Sequence, residues 1–243
     1  MARYYAIGDI HGDLNQLIEA HRRIQQDLIR NPIGDYEVIH IGDLVDRRED
    51  SKGVIDFLIA GVERGEPWIV LKGNHDRLFQ WFLEDPHRVD ARLRSDYSWL
   101  HPRMGGRETL LSYGLEVPED FGIDVLLQAA LSAVPDKHYE FLKRLPLCHE
   151  TSRFFFCHAG IKPGVPLQNQ IEDDLLWMRQ EFHKYEGEHP KLIVHGHTPV
   201  DKVTHYGNRL NIDTGAAYGK LLSTVCLEED SIWLLDKGER KAL

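Results

Sequence analysis

Cysteine is nearly missing from this chain: Cys148, Cys157 and Cys226 are few, odd in number and far apart. That argues against a disulfide-built fold and leads us to expect free buried thiols in a reducing, cytoplasmic setting. No apolar run approaches the roughly 20 residues that a membrane span needs. The opening MARYYAIGDIHGD has no apolar signal core either. Positive charge is in short supply, with 29 Lys and Arg against 39 Asp and Glu, a formal net charge of −10. This argues against nucleic acid or an anionic membrane surface as a partner. A phosphorylated substrate stays open, because a local cationic pocket can sit in an acidic protein. Repeats and low-complexity tracts are absent. What remains is an ordinary globular composition, 42% hydrophobic and 28% charged. Its 243 residues suffice for one domain, with or without an inserted subdomain.

Short β-rich apolar runs recur along the chain, each followed at once by Gly, Asp, Asn or His. The runs are 4–8, 37–41, 68–71, 154–156 and 192–194. Helical patterns follow the first three, at about 13–28, 52–62 and 77–83. Residues 210–212, 222–227 and 231–235 read as closing strands, with Glu229-Asp230 as a hairpin turn. Polar residues at strand ends are the usual place for a site in layered α/β proteins. The stretch 84–143 departs from this pattern and reads as a largely helical insertion leaning over the strand ends.

Fourteen histidines are many for this length, and several fall in those strand-end clusters. GDIHG supplies Asp9 and His11, a carboxylate and an imidazole two apart, with glycines that let backbone crowd an ion. GDLVDR supplies Asp43, Asp46 and Arg47; a carboxylate can bridge two cations, and an arginine can fork onto phosphate oxygens. GNHD supplies Asn74, His75 and Asp76, CHAG supplies His158, and HGHTP supplies His195 and His197. Taken singly, each of these reads as turn chemistry or as a satisfied polar group. Five in order after strand-like runs point instead to a dinuclear metal site. If 192–194 is a strand, alternation aims His195 and His197 at the same face.

These motifs, spread from residue 8 to residue 199, resemble the calcineurin-like metallophosphoesterases. The similarity is to the phosphoprotein phosphatase branch, which contains Ser/Thr phosphatases and small bacterial and lambda phage phosphatases. LLWMR at 175–179 resembles the small members too. The resemblance implies an α/β fold, a four-layer αββα metallophosphoesterase sandwich. By position it implies Asp9 and His11 on a first metal, Asp43 bridging, and Asn74, His158 and His197 on a second. His197, directly after glycine, becomes the ligand and His195 its neighbour. The ions would be divalent, with Mn2+ favoured and Fe, Zn or Co permitted by the mixed N/O donors. His75 matches the family's general acid with Asp46 orienting it, while Arg47, Arg179 and Asn74 match the phosphate-binding positions.

Two departures stand out. Arg48 replaces the glycine usual after the motif arginine, so the loop must take ordinary backbone geometry or carry strain. Asp76 replaces the usual glutamate, as in diadenosine tetraphosphatases. Asp46 pulls the other way, because symmetrical diadenosine tetraphosphate hydrolases tend to lack that aspartate. The leading expectation is a phosphoserine and phosphothreonine phosphatase acting on proteins or peptides, with phosphotyrosine left open. The alternatives are a symmetrical diadenosine tetraphosphate hydrolase and a broad small-molecule phosphatase. A non-catalytic scaffold is disfavoured, since no implied ligand is missing. Trp99, Arg103 and Arg107 are candidates for substrate contact, with Trp99 alternatively an anchor for the insertion.

Overall fold

Side-chain parity along the strands explains the layering. In the first strand, Tyr5 and Ile7 face one apolar core and Ala6 faces another. Among residues 154–157, Phe154 and Phe156 join that second core, whereas Phe155 and Cys157 enter a third. Two sheets buried on both faces must therefore stack with helices outside each, the expected four-layer αββα arrangement.

The computed structural model describes residues 2–118, 120, 122–237 and 239–243. The strands are β1 (Arg3–Ile7), β2 (Tyr36–His40), β3 (Trp68–Val70), β4 (Cys148–Glu150), β5 (Phe154–Cys157), β6 (Leu192–His195), β7 (Thr204–His205), β8 (Arg209–Asn211), β9 (Thr224–Glu228), β10 (Ser231–Asp236) and β11 (Glu239–Ala242). One sheet runs β11-β10-β9-β1-β2-β3 and the other β4-β5-β6-β8-β7. β1, β2 and β3 are parallel neighbours, as are β5, β6 and β8.

The helices are α1 (Leu14–Arg30), α2 (Ser51–Glu63), α3 (Asn74–Glu84), α4 (Gly106–Ser112), α5 (Ile123–Ala133), α6 (Asp136–Arg144), α7 (Glu172–Trp177) and α8 (Gln180–His183). α1 and α2 pack against the larger sheet, and α4, α5 and α6 join the same core by packing on α2 and α3. Leu175 of α7 and Phe182 of α8 cover the smaller one.

The expected β1, β2, β3, β5, β6 and closing strands are all present, and Glu229-Asp230 does turn between β9 and β10. The short β4, β7 and β11 were not anticipated; their sequences are polar and lack an alternating apolar pattern. α3 begins at Asn74 rather than Arg77. The cause is local: Asp76, in its first turn, accepts from the Gly73 N–H at 2.7 Å and from the Leu44 N–H at 2.9 Å. A carboxylate there satisfies an otherwise unpaired helix-start donor and ties the second and third motif loops together. No helix among the described residues is long and apolar enough to cross a membrane.

Candidate active site

Parallel strands deliver their C-terminal loops to one edge, so the loops after β1, β2, β3, β5 and β6 meet there. They meet under strain. His11, Asp43, Asp46, Arg47 and His197 all have positive φ, between 49° and 75°. A non-glycine residue there costs on the order of 1–2 kcal/mol. The replaced glycine is not where the strain falls: Arg48 keeps ordinary geometry, and the left-handed turn is made by Asp46 and Arg47 before it. Close packing compels the turn. Arg48 N–H donates to His11 O at 3.1 Å, and Ile10 and His11 N–H donate to Asp43 O at 3.0 and 2.8 Å.

Backbone carbonyls set the imidazoles. His11 Nδ1 donates to Val45 O and His158 Nδ1 to Ile41 O, both at 3.0 Å, leaving each Nε2 lone pair turned inward. There His11 Nε2 lies 3.3 Å from Asp43 Oδ2, and His158 Nε2 lies 3.4 Å from Asp43 Oδ1. His158 Nε2 is also 2.9 Å from Asn74 Oδ1 and 3.2 Å from His197 Nδ1. The donors form two groups sharing Asp43: His11, Asp43 and His75, and Asp43, His158 and His197. Asp9 stands beside them, its Oδ2 accepting from the His197 N–H at 3.0 Å.

Asp46 and His75 form a buried pair. Asp46 Oδ2 lies 2.6 Å from His75 Nδ1, and Arg47 Nη2 lies 2.9 Å from His75 Nε2. An arginine can only donate, so here His75 is neutral with its proton on Nδ1 toward Asp46. Burial, with Arg47 and other cationic neighbours, lowers the His75 pKa to about 3. Burial pushes Asp46 up to about 7, against Thr109 and Trp99, which lower it. Arg179 reaches the opposite side, its Nε donating to His197 Nε2 at 3.0 Å.

The structure also places residues that sequence reasoning missed or misread. His195 does not share a face with His197: it ends β6 and turns to the helix side, its ring 5.0 Å from Phe182 and its Nε2 3.4 Å from Arg209 Nη1. Positive φ at His197 breaks the strand alternation on which the same-face expectation rested. Trp99 is buried, so it is no substrate contact; it donates to Asp46 at 2.9 Å. Arg107 donates to Leu100 O and Val117 O, which occupies it within its own segment. Thr109, which donates to Asp46 Oδ1 at 2.6 Å, carried no local signal. Nor did Asp213, whose pKa is raised to about 6 by burial.

The donor set fits divalent metal. Asp9 Oδ1 is buried without a hydrogen-bond partner. Burial, then repulsion from Asp213 and Asp43, raises the Asp9 pKa well above normal. Burial alone would push Asp43 up too, but His158, His75 and His11 hold it well below the usual carboxylate range. Crowded carboxylates beside inward imidazole lone pairs are stabilised when a cation enters. Gly73 and Gly196 complete the cradle, since a Cβ at either would collide with the Asp43 or Asp9 carboxylate.

Residues 2–221 match the family described as calcineurin-like phosphoesterase. The chain belongs to this family. It is a metal-dependent phosphoesterase, with two candidate His/Asp metal groups consistent with a dinuclear centre. Within the family it is 27% identical to the bis(5'-nucleosyl)-tetraphosphatase PrpE [asymmetrical] of Anoxybacillus flavithermus, over 91% of this chain and 89% of that protein. Its fold is similar to the cold-active protein-tyrosine phosphatase of a psychrophilic Shewanella, with a TM-score of 0.63 and 17% identity over 99% of this chain and 80% of that one. A protein serine/threonine phosphatase from Saccharomyces cerevisiae gives a TM-score of 0.51 at 12% identity, covering 99% of this chain and 81% of that one.

Proposed function

We propose that this calcineurin-like phosphoesterase hydrolyses dinucleoside tetraphosphates asymmetrically, at a centre held by Asp9, His11, Asp43, Asn74, His158 and His197. The observation that carries the reading is the pairing of Arg47 and Arg179 with the two imidazoles at the mouth, His75 and His197. Two guanidiniums on opposite sides of one carboxylate-and-imidazole cluster suit a polyanion. Relatives similar along most of their length are named for this substrate class and for asymmetrical cleavage, which favours that mode over the symmetrical one.

Two divalent ions, Mn2+ in this reading, would supply an activated hydroxide and neutralise charge on the phosphate. The chain's own residues do the rest. Arg47 and Arg179 turn from the imidazoles to fork onto phosphate oxygens. Withdrawal of Arg47 frees His75 Nε2, which takes up a proton while Asp46 holds Nδ1, and the imidazolium donates to the leaving oxygen. Asn74 orients a phosphate oxygen from the first turn of α3. There the helix N-terminus also favours negative charge: the His75 N–H donates to Asp43 at 3.0 Å.

Hydrolysis of phosphoserine, phosphothreonine or phosphotyrosine in proteins is the second reading, favoured by the Asp46–His75 pair itself. A serine alkoxide needs a proton on leaving far more than a nucleotide phosphate does, and a held imidazolium suits that need. Parallel turnover of diadenosine tetraphosphate and a phosphoserine peptide with Mn2+ decides between the two. We expect the dinucleotide to be preferred and to yield AMP and ATP. Wide preference for the peptide would overturn the first reading in favour of the second.

A further inference from the structure

Arg48 points away from the imidazoles and is unused by the chemistry above. Its backbone is pinned to His11, but its side chain runs outward, 40% exposed, with Nε 3.5 Å from Asp13 Oδ2. Its Nη1 lies 4.0 Å from where a Cβ on Gly219 would stand. Gly219 closes a single 3-10 turn, Ala216–Tyr218, that sits between two left-handed glycines, Gly215 and Gly219, both at φ 82°. The turn is well held. Gly219 N–H donates to Ala216 O at 2.9 Å, and the Gln16 side chain donates to Lys220 O at 2.9 Å and accepts from Leu222 N–H at 2.6 Å.

That turn lifts Tyr218 into solvent, 67% exposed, at the mouth of the site. The Arg47 guanidinium lies 5.5 Å from the ring centroid, so Tyr218 flanks the proposed phosphate clamp with most of its ring surface open. The mouth therefore presents, side by side, a cation at the centre, an open aromatic ring and a second cation further out. A phosphoserine offers nothing to the last two. A nucleoside polyphosphate offers further phosphates to a planar guanidinium and a flat base to an aromatic ring.

We propose that Arg48 and Tyr218 form a subsite for the part of a nucleotide that lies beyond the phosphate being hydrolysed. Arg48 forks onto a neighbouring phosphate, and the base stacks on the open face of Tyr218. The proposal deepens, and rests on, the dinucleotide reading above. It also gives a role to the arginine that stands where the family usually has glycine.

The test compares Arg48→Gln, Tyr218→Ala and the conservative Tyr218→Phe with the wild type. kcat and KM are measured on diadenosine tetraphosphate and on p-nitrophenyl phosphate with Mn2+, together with inhibition of the second reaction by ATP. For R48Q and Y218A, kcat/KM on the dinucleotide relative to the aryl phosphate should fall about tenfold, mostly through KM. The ATP inhibition constant should rise by a similar factor. Y218F should behave like wild type. Equal losses on both substrates, or no change in either ratio or ATP inhibition, would overturn the subsite. A wild type that turns over the aryl phosphate but not the dinucleotide sinks the substrate reading instead. The ATP measurement then still decides whether Arg48 and Tyr218 bind a nucleotide.

Discussion

The Trp99 indole N–H donates to Asp46 Oδ2 at 2.9 Å, and Asp46 lies 2.6 Å from His75. The carboxylate proposed to orient the acid is thus held from a segment 53 residues further along the chain. Thr109 holds its other oxygen at 2.6 Å, and the Trp99 ring stacks 5.2 Å from Phe79 of α3. One segment therefore braces both the carboxylate and the helix that carries His75.

Trp99→Phe should keep that stacking and lose the hydrogen bond, and Thr109→Val should act similarly on the other oxygen. The sign follows from the carboxylate. Burial has raised Asp46 to about 7 and these donors oppose the rise, so removing either raises it further. In the proposed mechanism the ionised form is the active one, so the acidic limb of the kcat–pH profile should move to higher pH in both variants. An unmoved limb would show that the two residues serve structure alone.

His75→Asn tests the proton donor. With a poor leaving group such as an alkyl phosphate, kcat should fall by about 10²–10⁴. With p-nitrophenolate, which leaves without a proton, the loss should be much smaller. Equal losses on the two substrates at unchanged metal content would remove His75 from the acid role.

Metal stoichiometry separates the shared from the unshared carboxylate. Asp43→Asn should abolish binding of both ions, because Asp43 joins the two donor groups. Asp9→Asn should retain about one equivalent, since the second group keeps its donors. Elemental analysis after dialysis reads this out directly, and two tightly held equivalents in D43N would refute the bridging assignment.

Arg77 of α3 is 2% exposed and pairs with Asp90 and Asp173, each at 2.7 Å. Arg77→Met leaves Asp90, itself 3% exposed, as an unpaired buried charge. Breaking such a pair costs about 3–5 kcal/mol. Urea unfolding should show the loss, and Asp90→Asn added to R77M should recover part of it. No recovery would mean that packing of the arginine stem, rather than its charge, carries the stability.

His21 lies 3.0 Å from His40, Nε2 to Nε2, beside Trp68, and burial lowers its pKa to about 4. Below about 6.5 the unfolded chain takes up a proton that the folded His21 refuses until about pH 4. The stability it contributes is whole above pH 6.5 and is eroded as pH falls through that window. In metal-free protein, His21→Gln should flatten the dependence of the urea midpoint between pH 7.5 and 5. An unchanged slope would place the acid sensitivity in other histidines.

The reach of the sequence is clearest at the strand ends. Runs such as 4–8 and 37–41 made their strands legible, because apolar residues there must face two cores in turn. The residues following them arrive together because parallel strands end at one edge. Chain order placed five polar clusters at those ends, the family resemblance singled out Asp9, His11, Asp43, Asn74, His158 and His197 among them, and the fold gathers these around Asp43. His195 and His197 show the limit. Two-residue spacing implies one face only while the strand continues, and φ of 66° at His197 ends it.

What only the tertiary structure decided is which distant side chains support that cluster. Trp99 and Thr109 reach Asp46 through packing of the segment that follows α3, and local patterns carry no record of such contacts. The Ala216–Tyr218 turn comes beside Arg47 and Arg48 because Gln16 of α1 ties down its far end. The sequence by itself determined the layers and the reactive chemistry, since alternation and turn residues act over a few positions. The surroundings that orient this chemistry depend on contacts between residues from 53 to more than 200 positions apart, and those exist only once the layers have closed.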